Sequence, residues 1–193
     1  KSFFSLDENI TGENYKFKIN KVVNFLKKNK IDYLFISAPE NVAWLLNIRG
    51  YDNPNCPIPN CRIIIGKNKK LFFISNKQKT SVLRKEKKIY LNQLVEPEQF
   101  KALINRLKGK YFLIDTQSCS IFNEQIIRSN FKIKEMNDPC YKFKSIKNST
   151  EIRNMINAHI EDGLALTRFI YWIKHKNKRK ITEVDAQNKL EKF

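Results

Sequence analysis

A chain of 193 residues, 41% apolar and 12% aromatic, has material for one full core, or for one domain and part of another, and is not a disordered tail. No run of about 18 apolar residues occurs, which excludes a membrane-spanning helix, and no basic-then-apolar leader follows Lys1, so a cytoplasmic protein is expected. The net charge of +18 invites a nucleic-acid reading, but the 29 lysines are spread over nearly every segment; Lys, Ile and Asn, which share A/T-rich codons, make up 75 of the residues, so no specific nucleic-acid surface is expected.

Taken in chain order, Phe17, Val22, Phe25 and Leu26 recur among lysines at near-helical spacing and predict an amphipathic helix over 15–30. "IDYLFIS" (31–37) is a short continuous apolar run, the pattern of a strand buried on both faces. Pro39 can open a second helix running to Asn47, because its missing N–H costs nothing in a first turn. A loop crowded with Asn, Asp, Pro and Cys follows, and then "RIIIG" and "LFFIS", separated by "KNKK", predict a hairpin. Beyond it the pattern alternates: a helix near 77–85, a strand at "KIYL" (88–91), a helix over 96–108, a strand at "YFLID" (111–115), a helix over 120–129 and a strand at "FKIKE" (131–135). Alternation of this kind indicates an α/β layer, here with an antiparallel hairpin inside a mixed sheet. Pro139 punctuates the chain, and a domain boundary is expected there, dividing it into 1–141 and 142–193.

The second segment reads differently. Asn148 and Glu151 resemble a capping box, and Ile152, Met155, Ile156, His159, Ile160, Gly163, Leu166, Thr167, Ile170 and Ile173 continue a helical stripe for about seven turns. "KHKNKRK" (174–180) closes that helix with positive charge, and Thr182 with Asp185 opens another. Two helices sharing one apolar stripe do not make a core of their own, so the second domain is expected to be incomplete. His159 is assigned to packing, with Gly163 allowing a neighbouring element to approach closely. Cys56, Cys61, Cys119 and Cys140 match no zinc-ligand spacing and are not completed by His159 or His175; free thiols are expected.

Two stretches carry a family resemblance. "KSIKNSTEIRNMINAHIEDGLALTRFIYWI" followed by "ITEVDAQNKLEKF" resembles the entry into the pita-bread catalytic domain of three-domain Xaa-Pro aminopeptidases. "ENVAWLLNIRGYDNPNCPIPNCRIII" (40–65) is similar to a segment of their middle domain, of the creatinase/prolidase N-terminal type. The resemblance implies an α/β fold: a creatinase/prolidase N-terminal-like domain with a mixed sheet flanked by helices, then the first two helices of a pita-bread domain. It implies an enzyme that removes the N-terminal residue from peptides with proline in second position, acting as a homodimer in the cytoplasm. Two divalent metal ions, commonly manganese, held by two Asp, one His and two Glu, would activate a bridging hydroxide.

None of that ligand set maps onto this sequence. Asp162, Asp185, Glu151, Glu161, Glu183 and Glu191 all sit in the opening helices, whereas the family's ligands lie further downstream. This chain alone is therefore expected to be inactive and to serve domain packing and positioning of the substrate pocket. The alternative is a pita-bread relative that has lost its metals and binds peptides or proteins.

The loop offers Trp44, Arg49 and Asp52 as candidates. In shorter relatives an aromatic from the non-catalytic domain of a neighbouring subunit lines the pocket, and Trp44 has a similar place; equally, Trp44 packs with Leu45 and Leu46 on the sheet. Arg49 can hold a carboxylate in two-point geometry, that of Asp52 or an acid of the catalytic domain, or touch the peptide directly. Gly50 is expected to supply a positive φ, and Pro54, Pro57 and Pro59 to stiffen a loop facing the catalytic domain.

Overall fold

The computed structural model describes residues 1–175 and 181–193. By internal packing the chain falls into two units, Lys1–Lys147 and Asn148–Phe193.

The first unit begins with β1 (Phe4–Ser5), α1 (Glu8–Thr11), α2 (Tyr15–Lys28), β2 (Tyr33–Ile36), α3 (Pro39–Leu46) and β3 (Ile48–Arg49). There follow β4 (Arg62–Gly66), β5 (Leu71–Ile74), α4 (Ser81–Lys85), β6 (Leu94–Val95), α5 (Phe100–Arg106), β7 (Tyr111–Ile114), α6 (Ile121–Arg128), β8 (Lys132–Glu135) and α7 (Pro139–Ser145). Six strands form one mixed sheet in the order β6-β5-β4-β2-β7-β8, while β1 and β3 pair separately. Within the large sheet β2 runs parallel to β7 and antiparallel to β4, and β4 and β5 form the expected hairpin with Arg62 opposite Ile74.

The apolar run of β2 is buried on both faces because successive side chains serve opposite layers. Leu34 and Ile36 join Ile63, Ile65 and the helices α2 and α3, through Val22, Leu26, Val42 and Leu46. Phe35 joins Ile64, Phe112 and Ile114 under α5 and α6, through Phe100, Ile104 and Ile127. Each such fully buried aliphatic side chain contributes roughly 1.5–3 kcal/mol. Asp32 ties the corner before β2: its carboxylate accepts the amides of Lys110 (2.7 Å) and Tyr111 (2.9 Å) and pairs with Lys67 (2.7 Å).

Local chemistry sets the ends of the elements. The Asn14 side chain accepts the Lys16 amide at 2.9 Å to start α2, and Ser120 caps α6 by accepting from Asn123. Asp138 accepts the Cys140 amide at 2.9 Å and Pro139 takes the first turn of α7, so the proline opens a helix where a break was expected. That helix is fastened to α3 by Asn41 donating to Asp138 (2.7 Å), Lys144 donating to Asn41 (2.6 Å) and Tyr141 donating to Glu40 (3.1 Å). Position 141 therefore falls inside an element of the first unit, which extends to Lys147.

Two further expectations differ. "KIYL" is not a strand: a turn of 3-10 helix over Leu91–Gln93, in which Gln93 bonds both the amide (2.9 Å) and the carbonyl (3.0 Å) of Tyr90, carries the chain to the edge only at β6. Phe17 is 65% exposed, because the buried stripe of α2 runs through Lys18, Ile19, Val22, Val23 and Leu26 instead.

The second unit consists of α8 (Ser149–His175) and α9 (Glu183–Leu190). Asn148 and Glu151 exchange bonds of 2.9 Å, and Thr182 and Asp185 do so at 3.1 Å, so both capping boxes form. No residue of α8 is buried: Ile156 is 55% and Ile160 65% exposed. His159 is exposed and a side chain at Gly163 would meet nothing within 4 Å, so neither packs against another element among the described residues. The rest of the basic run, 176–180, lies outside the described residues. No helix among the described residues is long and apolar enough to cross a membrane.

Candidate functional site

The loop after α3 is organised around Asn47. It ends the helix in the left-handed region, φ 52°, a conformation that Asn tolerates better than other residues with a side chain. Its side chain is buried; Nδ2 donates to Glu13 O (2.8 Å) and Thr11 Oγ1 (3.1 Å), and Oδ1 accepts from Lys18 Nζ at 2.7 Å. The backbone carbonyl accepts from Leu6 N at 2.9 Å and Lys88 Nζ at 3.3 Å. One residue thus joins α1, α2, α3 and the strand pair β1–β3. Burial lowers the Lys88 ammonium from its ordinary value, partly offset by Glu86 and Asp7.

Lys18 is 1% exposed, and its ammonium donates to Trp44 O at 3.1 Å while lying 4.4 Å from the centre of the Trp44 ring. A buried cation is tolerable here because carbonyl oxygens and an aromatic face replace its water. Trp44 itself is half-buried and packs on the first core layer, and among the described residues its buried Nε1 finds no hydrogen-bond acceptor.

Arg49 and Asp52 are not partners. Arg49, half-buried on β3 opposite Phe4, donates from Nη1 to Ile48 O at 2.9 Å and enters no ion pair among the described residues. Burial lowers its pKa, with the nearby Cys56 acting in the opposite sense. Asp52 lies past the turn and faces Lys79, with which it pairs, while its other oxygen accepts the Asn60 amide at 2.6 Å. Burial pushes the Asp52 carboxyl up, but those two partners outweigh it and hold it below the ordinary carboxylate range.

Gly50 does not adopt a positive φ. It is needed for space: a Cβ there would stand 2.8 Å from Pro59 Cα and 3.0 Å from Phe3 Cδ1. Its amide donates to Pro57 O at 3.1 Å, so the prolines hold the loop against the strand pair. Tyr51 projects, 58% exposed, with Phe4 at 5.1 Å and Lys1 Nζ 5.1 Å above its ring.

Sequence reasoning missed Lys18 and Asn47. Asn directly after a helix signals a left-handed cap, whereas a lysine between Phe17 and Ile19 carries no mark of its burial. The four cysteines are free thiols; burial pushes Cys61 and Cys140 well up and Cys119 up to about 11, so none of these three is an activated nucleophile. Among the described residues no three His, Cys, Asp or Glu side chains converge as metal ligands. The donor set present does not fit a two-metal centre, and no chemical step on this chain runs through one.

Residues 1–151 match the model of the creatinase/prolidase N-terminal domain family, and the chain belongs to that family. It is 30% identical over 202 residues to Xaa-Pro aminopeptidase 1 of Dictyostelium discoideum, covering 100% of this chain and 31% of that protein. It is 28% identical over 176 residues to a Xaa-Pro aminopeptidase of Drosophila melanogaster, covering 87% of this chain and 28% of that one. Among solved structures, the X-prolyl aminopeptidase of Caenorhabditis elegans, described as a cytosolic enzyme with a di-nuclear active site, superimposes with a TM-score of 0.85 at 20% identity over 100% of this chain and 32% of its own. A Xaa-Pro dipeptidase from Bacillus anthracis does so with a TM-score of 0.65 at 15% identity, over 92% of this chain and 48% of its own. The chain thus spans about a third of the length of the aminopeptidases it matches.

Proposed function

We propose that this chain is the middle domain and the opening catalytic-domain helices of a metal-dependent Xaa-Pro aminopeptidase, which removes the N-terminal residue from peptides with proline in second position. The observation that carries the reading is the match along the full chain to a protein of that name at 30% identity, over 31% of the latter's length. Two metal ions, manganese by the family's habit, would be held by residues outside this chain, and the working enzyme would be a cytoplasmic homodimer. The role of 142–193 as the start of the catalytic domain is supported by the apolar side chains that α8 leaves exposed, among them Ile152 at 48% and Ile170 at 45%, which suit a helix awaiting a covering layer. In the loop, Trp44 and Asp52 stiffen the domain from within. Arg49 is the member left to meet an external carboxylate across the domain interface, because the unit supplies it only a carbonyl.

The test compares two proteins on an Xaa-Pro peptide with added manganese. The 193-residue chain should release no amino acid, whereas the longer natural product containing it should do so and should stop when a chelator is added. Turnover by the short chain after removal of contaminating peptidases, or metal-independent turnover by the long one, would defeat the proposal.

A further inference from the structure

A second place in the first unit, built on other side chains than those of the loop after α3, has the composition of a ligand site. At the carboxyl ends of β2 and β5, a cavity of about 250 Å³ is lined by Phe35, Arg62, Ile74, Phe100, Phe122 and Asn123 among others. In open α/β sheets this end of the strands is where ligands are held. Three of the walls are core: Phe35 is 0%, Ile74 3% and Phe100 5% exposed. The rim is different, since Phe122 is 71% exposed and its neighbour Ile121 72%, at the first turn of α6, where nothing in the unit covers them.

Among the described residues Arg62 is the only charged one lining this cavity, and it is partly buried on the first position of β4, directly opposite Ile74. Among the described residues its guanidinium enters no ion pair and no hydrogen bond. Of the acids on the surrounding elements, Glu98 is exposed to water beside Pro97, and three others are engaged elsewhere. Glu96 accepts the Lys77 amide at 3.0 Å, Asp115 accepts from Gln117 at 3.0 Å and Asp138 at 3.1 Å, and Glu124 pairs with Arg128 at 2.6 Å. A planar cation of five donors over an apolar floor lacks one thing, a carboxylate with an apolar body attached.

We infer that this cavity binds an organic carboxylate bearing a short apolar group, with the carboxylate on Arg62 and the apolar group against Phe35, Ile74 and Phe100 beneath Phe122. The same chemistry is presented by a free branched-chain acid and by the last residue of a peptide. Asn123, at the same wall, offers a side-chain amide to the second carboxylate oxygen. The site is independent of the peptidase reading, because it uses neither Arg49 nor any metal.

The experiment titrates the 193-residue chain, observed by amide NMR, with isocaproate and with an acetylated tripeptide ending in leucine, each beside its uncharged amide. It is done in about 150 mM salt, where attraction to exposed lysines is screened. Saturable shifts centred on Arg62, Phe122 and Asn123 are expected, with a Kd on the order of 1 mM for so small a probe. The amides should bind about tenfold more weakly or not at all. Arg62→Gln should weaken the acid about tenfold; Phe122→Ala, whose ring is exposed and whose loss leaves the core intact, should weaken it severalfold. Binding of isocaproate alone assigns a free acid, binding of the peptide alone assigns a chain terminus, and both confirm the shared chemistry. Equal binding of acid and amide, unchanged affinity in both variants, shifts scattered over lysines, or no binding by either acid would overturn the inference.

Discussion

Replacing Asn47 with alanine and, separately, with glycine separates the two things this residue does. Alanine keeps a Cβ in the left-handed region, φ 52°, at a cost of about 1–2 kcal/mol, and it removes the bonds to Glu13 O, Thr11 and Lys18. Leaving buried partners short of a hydrogen bond adds about 1–3 kcal/mol, so the alanine variant should lose about 2–5 kcal/mol. Glycine loses the same bonds but adopts the backbone angle freely, and its extra freedom in the unfolded chain returns only about 0.5–1 kcal/mol of that advantage. The glycine variant should therefore be the more stable of the two by up to about 1 kcal/mol. Urea unfolding followed by far-ultraviolet dichroism, with the slope fixed by the parent protein, measures both. Alanine within about 1 kcal/mol of the parent, or glycine clearly below alanine, would refute the account of Asn47 as a buried left-handed cap.

Gly50→Ala places a carbon 2.8 Å from Pro59 Cα, a backbone atom, and should cost about 1–3 kcal/mol in the same assay; an unchanged midpoint would show that Pro59 gives way freely. Burial raises the Asp32 carboxyl, but Lys67 and the amides of Tyr111 and Lys110 outweigh it and lower the pKa, so the unfolded chain takes up the proton first as pH falls. Its stabilisation is present above the ordinary carboxylate value of about 4 and lost as pH falls through the lower folded value, so Asp32→Asn should flatten the acid limb of a midpoint-versus-pH plot; an unaltered limb would count against the pairing. Arg49→Ala in this chain should cost less than about 1 kcal/mol, since among the described residues the side chain bonds one carbonyl, and should cost more in the longer protein; equal losses in both would leave no room for an external carboxylate.

The fold was legible wherever one physical signal dominated. The continuous run "YLFI" became the central buried strand, the pair "RIIIG" and "LFFI" became a hairpin, and Ser120 and Thr182 began helices because their side chains cap backbone amides. Legibility failed where a single side chain redirected the backbone. Gln93 folds back on Tyr90 and converts an apparent strand into a 3-10 turn, and Asp138 makes Pro139 the start of a helix, since a proline marks an end or a beginning depending on whether its predecessor can cap.

The loop after α3 shows a harder limit. Its density of Asn, Asp, Pro and Gly announces a turn with a purpose, but which charge meets which is decided by long-range geometry. Arg49 and Asp52 are three residues apart and look like partners, yet β3 holds Arg49 against β1 while the close contact of Gly50 with Pro59 turns Asp52 toward Lys79, 27 residues away. Lys18 looks like one of many solvated lysines and is 1% exposed, because Trp44 and Asn47, 26 and 29 residues downstream, supply the oxygens and the ring that make its burial tolerable. Composition carries no trace of such an exchange, since the burial of a charge depends on partners that the chain brings together only after it has folded.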